Sequence, residues 1–265
     1  MEIGGKRILL TGATGGLGRA IAEALAAHGG RLVLSGRRAG DLADLASSLP
    51  GNGHRVVVAD LALEGAVEQL VAEAGEVDVL VANAALPGGG RLHRFTPERL
   101  DRALRVNFDA PIKTAHALLP GLLERGEGQL VFISSIQGKV ALARSSVYSA
   151  TKFGLRGFAI SLRDDLHGTG VGSSAVLPGF IRDAGMFADS GQPPPAGLGT
   201  SSPADVGEGV VRAIERNRAE VVVAPLRQGL AAGFGHRLPR LASLLTRRTA
   251  GKVADRVVEG QADKR

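Results

Sequence analysis

The stretch Thr11-Gly12-Ala13-Thr14-Gly15-Gly16-Leu17-Gly18 follows a short apolar run, Arg7–Leu10, and opens a helical pattern over Gly16–His28. Glycines let the chain turn sharply and approach a ligand closely, and the first turn of a helix offers unpaired N–H groups to a phosphate. A strand, a glycine-rich turn and a helix in this order are typical of the first unit of a dinucleotide-binding fold. The alternative is a glycine-rich turn that binds no ligand.

Short apolar runs alternate with helical patterns along the rest of the chain. The predicted strands are Arg7–Leu10, Arg31–Ser35, Arg55–Ala59, Val77–Ala82, Gln129–Ile133, Val171–Leu177 and Glu220–Ala224. The predicted helices are Gly16–His28, Gly40–Ser48, Leu63–Ala74, a long helix beginning near Pro97, Val147–His167 and one opening at Pro203. This alternation predicts an α/β protein: a single Rossmann-fold domain over residues 1–225, with a doubly wound, seven-stranded parallel sheet covered by helices on both faces.

The composition excludes several classes of protein. The chain has 265 residues, with no Cys, no Trp and a single Tyr. Without cysteine there can be no disulfides, thiolate nucleophiles or Cys-based metal sites, and the six His are scattered, so we expect no bound metal. No apolar run approaches the roughly 18 residues of a membrane span, and the residues before Thr11 lack a signal-peptide pattern. We therefore expect a cytoplasmic protein.

The positive charge is concentrated at one end. Residues 226–265 contain nine basic and three acidic residues and so carry the whole net charge of +6. This distribution disfavours nucleic-acid binding, which needs a basic face on the fold. The extension has apolar residues at helix-like spacing: Leu226, Leu230, Phe234, Leu238, Leu241 and Leu245. A basic amphipathic helix can contact an anionic membrane surface, but we favour packing on the domain or on a partner subunit.

The end of the second predicted strand bears on the choice of cofactor. Sites that prefer NAD usually have an acidic residue here for the ribose hydroxyls, whereas this chain has Gly36 followed by Arg37 and Arg38. Because arginine can bind a 2′-phosphate, we expect NADP to be preferred over NAD. The alternative is that both arginines are solvated. Asp60 and Leu61 follow the third strand, where the carboxylate could bind the adenine amino group or serve as a cap or turn residue.

Tyr148 and Lys152 lie four residues apart in a helical pattern and therefore share a face. A free phenol has a pKa near ~10, and a fixed cation beside it would lower that value. The pair is therefore suited to general acid–base catalysis. Ser135 follows a predicted strand thirteen residues before Tyr148 and could hold a substrate carbonyl oxygen, with Ser134 as the competing candidate.

Together these motifs resemble those of the short-chain dehydrogenase/reductase family over about residues 5–225. The matching positions are Thr11-Gly12-x-x-x-Gly16-x-Gly18, Asn83-Ala84, Asn107, the set Ser135, Tyr148 and Lys152, and Pro178-Gly179. Ala82 and Ala85 depart from the family's usual Asn and Gly beside the Asn-Ala motif. Asp183 stands where the family often has a Thr that contacts the nicotinamide carboxamide.

The resemblance implies hydride transfer between NADP(H), with NAD as the alternative, and a carbonyl or secondary alcohol. Tyr148 would act as general acid/base, Ser135 would orient the substrate oxygen, and Asn107 would hold a water on the proton relay. Lys152 would lower the pKa of Tyr148 and bind the nicotinamide ribose. The residues expected to contact the cofactor are Gly12, Thr14, Gly15, Gly16, Leu17, Gly18, Arg37, Arg38, Asp60, Leu61, Asn83, Ala84, Tyr148, Lys152, Pro178, Gly179 and Ile181.

Three segments are expected to shape the pocket for a small-molecule substrate: Leu86–Arg94, Gly138–Arg144 and Phe180–Gly199. The last contains Met186 and Phe187 before a triple proline, which suggests an apolar lid. In the family the long helices, here at 97–124 and 147–167, pair subunits, so the resemblance implies a homodimer or homotetramer. The alternative function is a non-catalytic NAD(P)-binding sensor, although such proteins tend to lose the Tyr or the Lys.

Overall fold

A computed structural model describes residues 1–188 and 197–237 of the chain. The triple proline of the third pocket segment, Pro193–Pro195, lies outside the described residues. So does the extension from Leu238 onward, with Leu241 and Leu245. Thus the sequence expectations for those segments stay predictions.

Seven strands form a single parallel sheet in the order β3-β2-β1-β4-β5-β6-β7. They are β1 (Arg7–Thr11), β2 (Arg31–Gly36), β3 (Arg55–Val58), β4 (Val79–Ala82), β5 (Gly128–Ile133), β6 (Val171–Pro178) and β7 (Glu220–Val223). Each predicted strand is present, with bounds that differ by one or two residues. The doubly wound Rossmann fold is therefore confirmed.

Helices connect the strands. They are α1 (Gly16–Ala27), α2 (Ala39–Ser48), α3 (Ala66–Ala74), α4 (Pro97–Leu104), α5 (Ala110–Arg125), α6 (Ser146–Asp165), α7 (Gly185–Ala188), α8 (Pro203–Glu215) and α9 (Leu226–Arg237). The long helix predicted from Pro97 is interrupted by a π-helical segment, Arg105–Asp109, between α4 and α5. The helix predicted from Leu63 begins at Ala66, because Gly65 before it has a left-handed backbone.

The sheet separates two apolar cores. Alternate residues of a strand point to opposite faces, so in β1 Ile8 and Leu10 join one core and Leu9 joins the other. The first core contains residues of α1, α2 and α8, and the second contains residues of α3, α5 and α6. Strands buried on both faces explain the continuous apolar runs of the sequence.

The strand order reverses between β1 and β4, which are neighbours in the sheet. Connections leave this point in opposite directions, and a crevice forms beyond the carboxyl ends of the two strands. The glycine-rich turn follows β1, and the Asn83-Ala84 motif follows β4. The fold thus brings two of the predicted cofactor motifs to one end of the sheet.

Helix α9 does not pack on the domain through its large apolar residues. Leu226, Leu230 and Phe234 are 77%, 65% and 46% exposed, whereas Gln228 and Ala232 are buried. The expectation was packing on the domain or on a partner subunit. These three side chains do not pack on the domain, where the other face of the helix makes the contact, and packing on a partner subunit stays a prediction. Among the described helices, none is both long enough and apolar enough to span a membrane.

Candidate active site

The glycine turn has the shape that a phosphate site requires. Gly12 has a φ of +66°, and a Cβ there would lie 2.7 Å from the Cα of Ala84. A Cβ at Gly18 would collide with the carbonyl oxygen of Gly12. Gly15 caps α1 without a side-chain hydrogen bond, and the first turn has no acidic residue. The N–H groups of this helix start are therefore available to an anion, and the turn fits a pyrophosphate group.

Asn83 links the end of β4 to this turn. Its Nδ2 donates to the carbonyl oxygens of Thr11 and Gly12, at 3.1 and 3.0 Å. The Oγ1 of Thr11 in turn accepts from the backbone N–H groups of Asn83 and Ala84, at 3.1 Å each. These bonds fix the glycine turn relative to the neighbouring strand.

The end of β2 offers cations and no carboxylate. Gly36 lies beside Thr14, since a Cβ at Gly36 would be 3.5 Å from the Thr14 Oγ1. Arg37 is exposed, and Arg38 forms an ion pair with Asp41 in the first turn of α2. Asp41 therefore competes for Arg38. Arg37 has no ion pair to any described residue.

Asp60 behaves in part as a turn residue. Its Oδ1 accepts a hydrogen bond from the backbone N–H of Ala62 at 3.1 Å, the bond of an Asx turn. Its Oδ2 lies 3.8 Å from the Nη2 of Arg102, a residue of α4 that sequence reasoning did not select. Leu61 beside it is buried. The structure thus shows the turn role of Asp60, and its contact with adenine stays a prediction.

Ser135, Tyr148 and Lys152 converge beyond the end of β5. The Ser135 side chain hydrogen-bonds to the Tyr148 phenol, and its Oγ also accepts from the backbone N–H of Gln137 at 3.1 Å. Ser134 instead donates its hydroxyl to the carbonyl oxygen of Lys152 at 2.8 Å and is buried. The two serines therefore have different partners: Ser135 faces the phenol, and Ser134 bonds to the backbone of α6.

Lys152 is buried, with its side chain 2% exposed. Its Nζ donates to the carbonyl oxygen of Ile133 at 2.8 Å and lies 5.6 Å from the centre of the Tyr148 ring. Burial lowers the pKa of Lys152 to about 8, because a cation loses hydration in the interior. One N–H of the ammonium is engaged at the end of β5, and the others stay available.

The pKa of Tyr148 is shifted in the direction opposite to the sequence expectation. Burial raises the pKa of Tyr148 to about 12, and the hydrogen bond from Ser135 lowers it by a smaller amount. Lys152, the cation that was expected to lower this pKa, is itself buried, and burial disfavours its charged form. In the protein without cofactor, the expectation of a lowered phenol pKa was therefore wrong.

Asn107 lies in the π-helical segment and is fully buried. Its Oδ1 accepts from the backbone N–H of Leu86 at 2.6 Å, and its Nδ2 donates to the carbonyl oxygen of Leu86 at 2.9 Å. The side chain therefore ties the segment after β4 to the helix pair α4 and α5. Its predicted role in holding a relay water is a separate matter and stays a prediction.

Two of the three predicted pocket segments meet at Tyr148. A Cβ at Gly88 would lie 3.0 Å from the Tyr148 backbone nitrogen, so this position allows a close approach. The Gly90 N–H donates to the carbonyl oxygen of Arg144 at 2.7 Å, which joins the first segment to the second. These contacts join the first segment to the backbone of Tyr148 and to the second segment, and the substrate pocket itself stays a prediction.

The third segment runs from the end of β6 back over the glycine turn. Pro178 ends β6, and Ile181 beyond it is buried and pairs with Ser201. A Cβ at Gly16 would lie 2.6 Å from the Cβ of Ala184. Asp183 has a φ of +67° and pairs with Arg182, with its side chain 71% exposed. Asp183 stands at the sequence position of the family's threonine, but its side chain is exposed to solvent and pairs with Arg182.

Gln228 is a second residue that sequence reasoning missed. It lies in the extension beyond the last strand, yet it is 3% exposed and hydrogen-bonds to the segment after β6. No local pattern distinguishes a buried Gln from an exposed one, so no sequence signal could have found it. Within residues 1–188 and 197–237 there is no cluster of three or more His, Cys, Asp or Glu that could hold a metal ion.

Comparisons with known proteins agree with this geometry. The family described as short chain dehydrogenase matches residues 6–194. The chain is 35% identical over 225 residues to the ketoacyl reductase HetN of Nostoc sp. strain PCC 7120, covering 83% of this chain and 78% of that protein. It is 33% identical over 184 residues to the 3-oxoacyl-(acyl-carrier-protein) reductase FabG of Escherichia coli, covering 68% of this chain and 75% of that protein.

A solved structure is similar in fold and sequence. It is the closed form of serine dehydrogenase complexed with NADP+, with a TM-score of 0.73 and 29% identity. The match covers 83% of this chain and 95% of that one.

Proposed function

Because the chain belongs to the short-chain dehydrogenase family and is an oxidoreductase of that family, we propose that it transfers a hydride between NADP(H) and a carbonyl or secondary alcohol. The observation that carries the proposal is the convergence of Ser135, Tyr148 and Lys152 beyond β5. Hydride transfer would occur at the carboxyl end of the sheet, where the glycine turn also lies.

NADP(H), when bound, supplies the hydride and the positive charge of its oxidised ring. The protein supplies the proton. Tyr148 donates it to the substrate oxygen during reduction and takes it back during oxidation. Ser135 hydrogen-bonds to the same oxygen and holds it beside the phenol. Two donors aimed at one oxygen stabilise the charge that develops there.

Lys152 connects the phenol with the cofactor. Its bond to the Ile133 carbonyl fixes the ammonium and leaves other N–H groups to bind the nicotinamide ribose. A phenol with a pKa of about 12 is a weak acid and is rarely available as phenolate. Anionic phosphates would favour the charged form of Lys152, and a charged Lys152 would favour phenolate. In this proposal the acid–base pair is tuned only when the cofactor is present.

The preference for NADP over NAD is supported by Gly36, Arg37 and Arg38 at the end of β2. The related serine dehydrogenase structure contains NADP+, which accords with this choice. Titration of nicotinamide fluorescence should give a lower Kd for NADPH than for NADH. Arg37→Ala should raise the Kd for NADPH about tenfold or more and leave that for NADH unchanged, because only NADPH carries the 2′-phosphate. Equal affinities in the wild type would contradict the preference.

Tyr148→Phe tests the catalytic proposal. The variant should bind NADPH with near-normal affinity and lose turnover, since only the acidic hydroxyl is removed.

The relatives include reductases of 3-oxoacyl and ketoacyl groups. A screen of NADPH consumption should therefore begin with 3-ketoacyl thioesters and continue with ketones, aldehydes, quinones and sugars.

The alternative is a non-catalytic sensor that binds NADP(H). Its predicted result is tight NADPH binding with no turnover on any substrate and no difference between wild type and Tyr148→Phe. The retention of Ser135, Tyr148, Lys152 and Asn107 in one site favours the enzyme.

We also propose that the enzyme is a homodimer or homotetramer paired through α4, α5 and α6, as the family resemblance implies. Leu104 of α4 and Leu123 of α5 are 38% and 40% exposed, which supports a surface that a second subunit covers.

A further inference from the structure

One buried side chain of α9 reaches the segment that follows β6. Gln228 is 3% exposed, although Leu226 and Leu230 on the same helix are largely exposed. Its Oε1 accepts a hydrogen bond from the backbone N–H of Phe180 at 3.1 Å. The extension is thereby joined to the backbone at the mouth of the site.

The carboxamide packs directly on this backbone. A Cβ at Gly179 would collide with the Oε1 of Gln228 and would lie 2.9 Å from the Cβ of Ala224. The Gly179 N–H also donates to the carbonyl oxygen of Val223 at 3.0 Å. Gly179 therefore fits because it has no side chain, and Gln228 occupies the space that one would fill.

Stability alone does not explain a glutamine at this position. The Nε2 of Gln228 is buried and has no hydrogen-bond partner among the described residues. Burying an unpaired amide is unfavourable, and an apolar side chain of equal length would avoid that cost. The single bond that the carboxamide makes is to the segment after β6.

That segment continues to the glycine turn. Ala184, four residues after Phe180, lies beside Gly16. A Cβ built at Gly16 would be 2.6 Å from the Cβ of Ala184. The backbone nitrogen of Gly185 would be 3.0 Å from the same Cβ. The stretch from Gly179 to Gly185 thus runs from Gln228 at one end to the start of α1 at the other.

We propose that Gln228 is a positioning residue: by holding the Phe180 amide, it sets where this stretch crosses the glycine turn and so how tightly NADP(H) is held. The ligand in this inference rests on the proposed function. The contact itself does not, since it is a property of the protein without cofactor.

Gln228→Met tests the inference. Methionine keeps the length of the side chain and removes both the acceptor and the unpaired amide. Hydrogen exchange of the Phe180 amide should become faster, and the Kd for NADPH should rise about three- to tenfold, the effect of losing one hydrogen bond. The Tm should stay within about 4 °C of the wild type, because removal of the unpaired Nε2 offsets the loss of the acceptor for the Phe180 N–H. A purely structural residue would lower the Tm and leave NADPH affinity unchanged.

Arg227→Gln is the matched control, since Arg227 is the exposed neighbour on the same helix. It should alter neither the exchange at Phe180 nor the Kd. Unchanged exchange and Kd in Gln228→Met would overturn the inference, even if turnover in the wild type is normal. If the wild type bound no NADPH, the proposed function would fail, and the exchange of Phe180 would still decide whether Gln228 holds that amide.

A double substitution gives an independent test should Gln228→Met not fold. Gly179→Ala should sharply weaken NADPH binding in the wild type, because its Cβ collides with the carboxamide. In a Gln228→Ala background, Gly179→Ala should weaken NADPH binding by a smaller factor. The Gln228 carboxamide, one of the two groups that the new Cβ would meet, has then been removed. Equal losses in both backgrounds would show that Gln228 does not determine the position of this backbone.

Discussion

Tyr148 can be titrated alone, because it is the only tyrosine and there is no tryptophan. Burial raises the pKa of its phenol to about 12, so the ultraviolet signal of tyrosinate should be nearly absent at pH 10.5, where a free phenol is mostly ionised. Saturation with NADP+ should lower this pKa below that of free tyrosine, because positive charge is added beside the phenol. A phenol that titrates identically with and without NADP+ would contradict the proposed tuning.

Lys152 should make stability depend on pH. Burial lowers its pKa to about 8 in the folded protein, while in the unfolded chain it stays near ~10.4. Between these values the unfolded chain binds more protons, so the free energy of unfolding should rise with pH. Measured by urea denaturation without cofactor, wild type should gain about 2 kcal/mol relative to Lys152→Met between pH 7.5 and 10. Parallel pH profiles would show that Lys152 is charged and hydrated in the folded protein.

At the scale of elements, the start of α8 is held by a capping box. The Oγ of Ser202 accepts from the Asp205 N–H at 3.1 Å, and the Asp205 carboxylate accepts from the Ser202 N–H at 2.7 Å. Pro203 occupies the first helical position. Helix α8 packs closely on α1, where a Cβ at Gly207 would lie 2.7 Å from the Ala20 carbonyl oxygen. The cap therefore supports the helix that backs the glycine turn.

Ser202→Ala should lower the free energy of unfolding by about 1 kcal/mol, the usual cost of losing an N-cap side chain. Chemical denaturation measures the change. Thr96→Ala is the matched comparison, since Thr96 caps α4 by accepting from the Arg99 N–H at 3.3 Å but does not form a capping box with residue 99. Thr96→Ala should lower the free energy of unfolding by less than Ser202→Ala does. A larger loss at Thr96 would mean that the reciprocal bonds at α8 add nothing.

At the scale of the whole molecule, the exposed leucines of α4 and α5 bear on the assembly. Leu123→Arg should weaken a subunit interface by placing a charge in it, which light scattering after size-exclusion chromatography would detect as smaller particles. Leu63→Arg is the control, because Leu63 is 64% exposed but lies in the turn before α3. A wild-type monomer, or equal effects of both substitutions, would contradict pairing through these helices.

Local sequence patterns were sufficient to predict the helices and strands and to select most residues of the candidate site. Short continuous apolar runs and helical patterns identify seven strands and their helices, since these patterns depend on neighbours in the chain. The spacing of Tyr148 and Lys152 predicts a shared helix face for the same reason. The π-helical interruption at 105–109 was not predicted; it contains Asn107, which bonds to Leu86, 21 residues away, a contact that no local pattern records.

Three features could not be predicted and depend on long-range contacts: which serine faces the phenol, the direction of the Tyr148 pKa shift, and the contact of Gln228 with the segment after β6. Ser134 and Ser135 are adjacent in sequence, but their hydroxyls bond to different partners of α6. The shift of the phenol depends on desolvation by residues distant in the chain. Gln228 lies 48 residues from Phe180. Burial and long-range hydrogen bonds arise only when the chain folds, so local patterns carry no record of them.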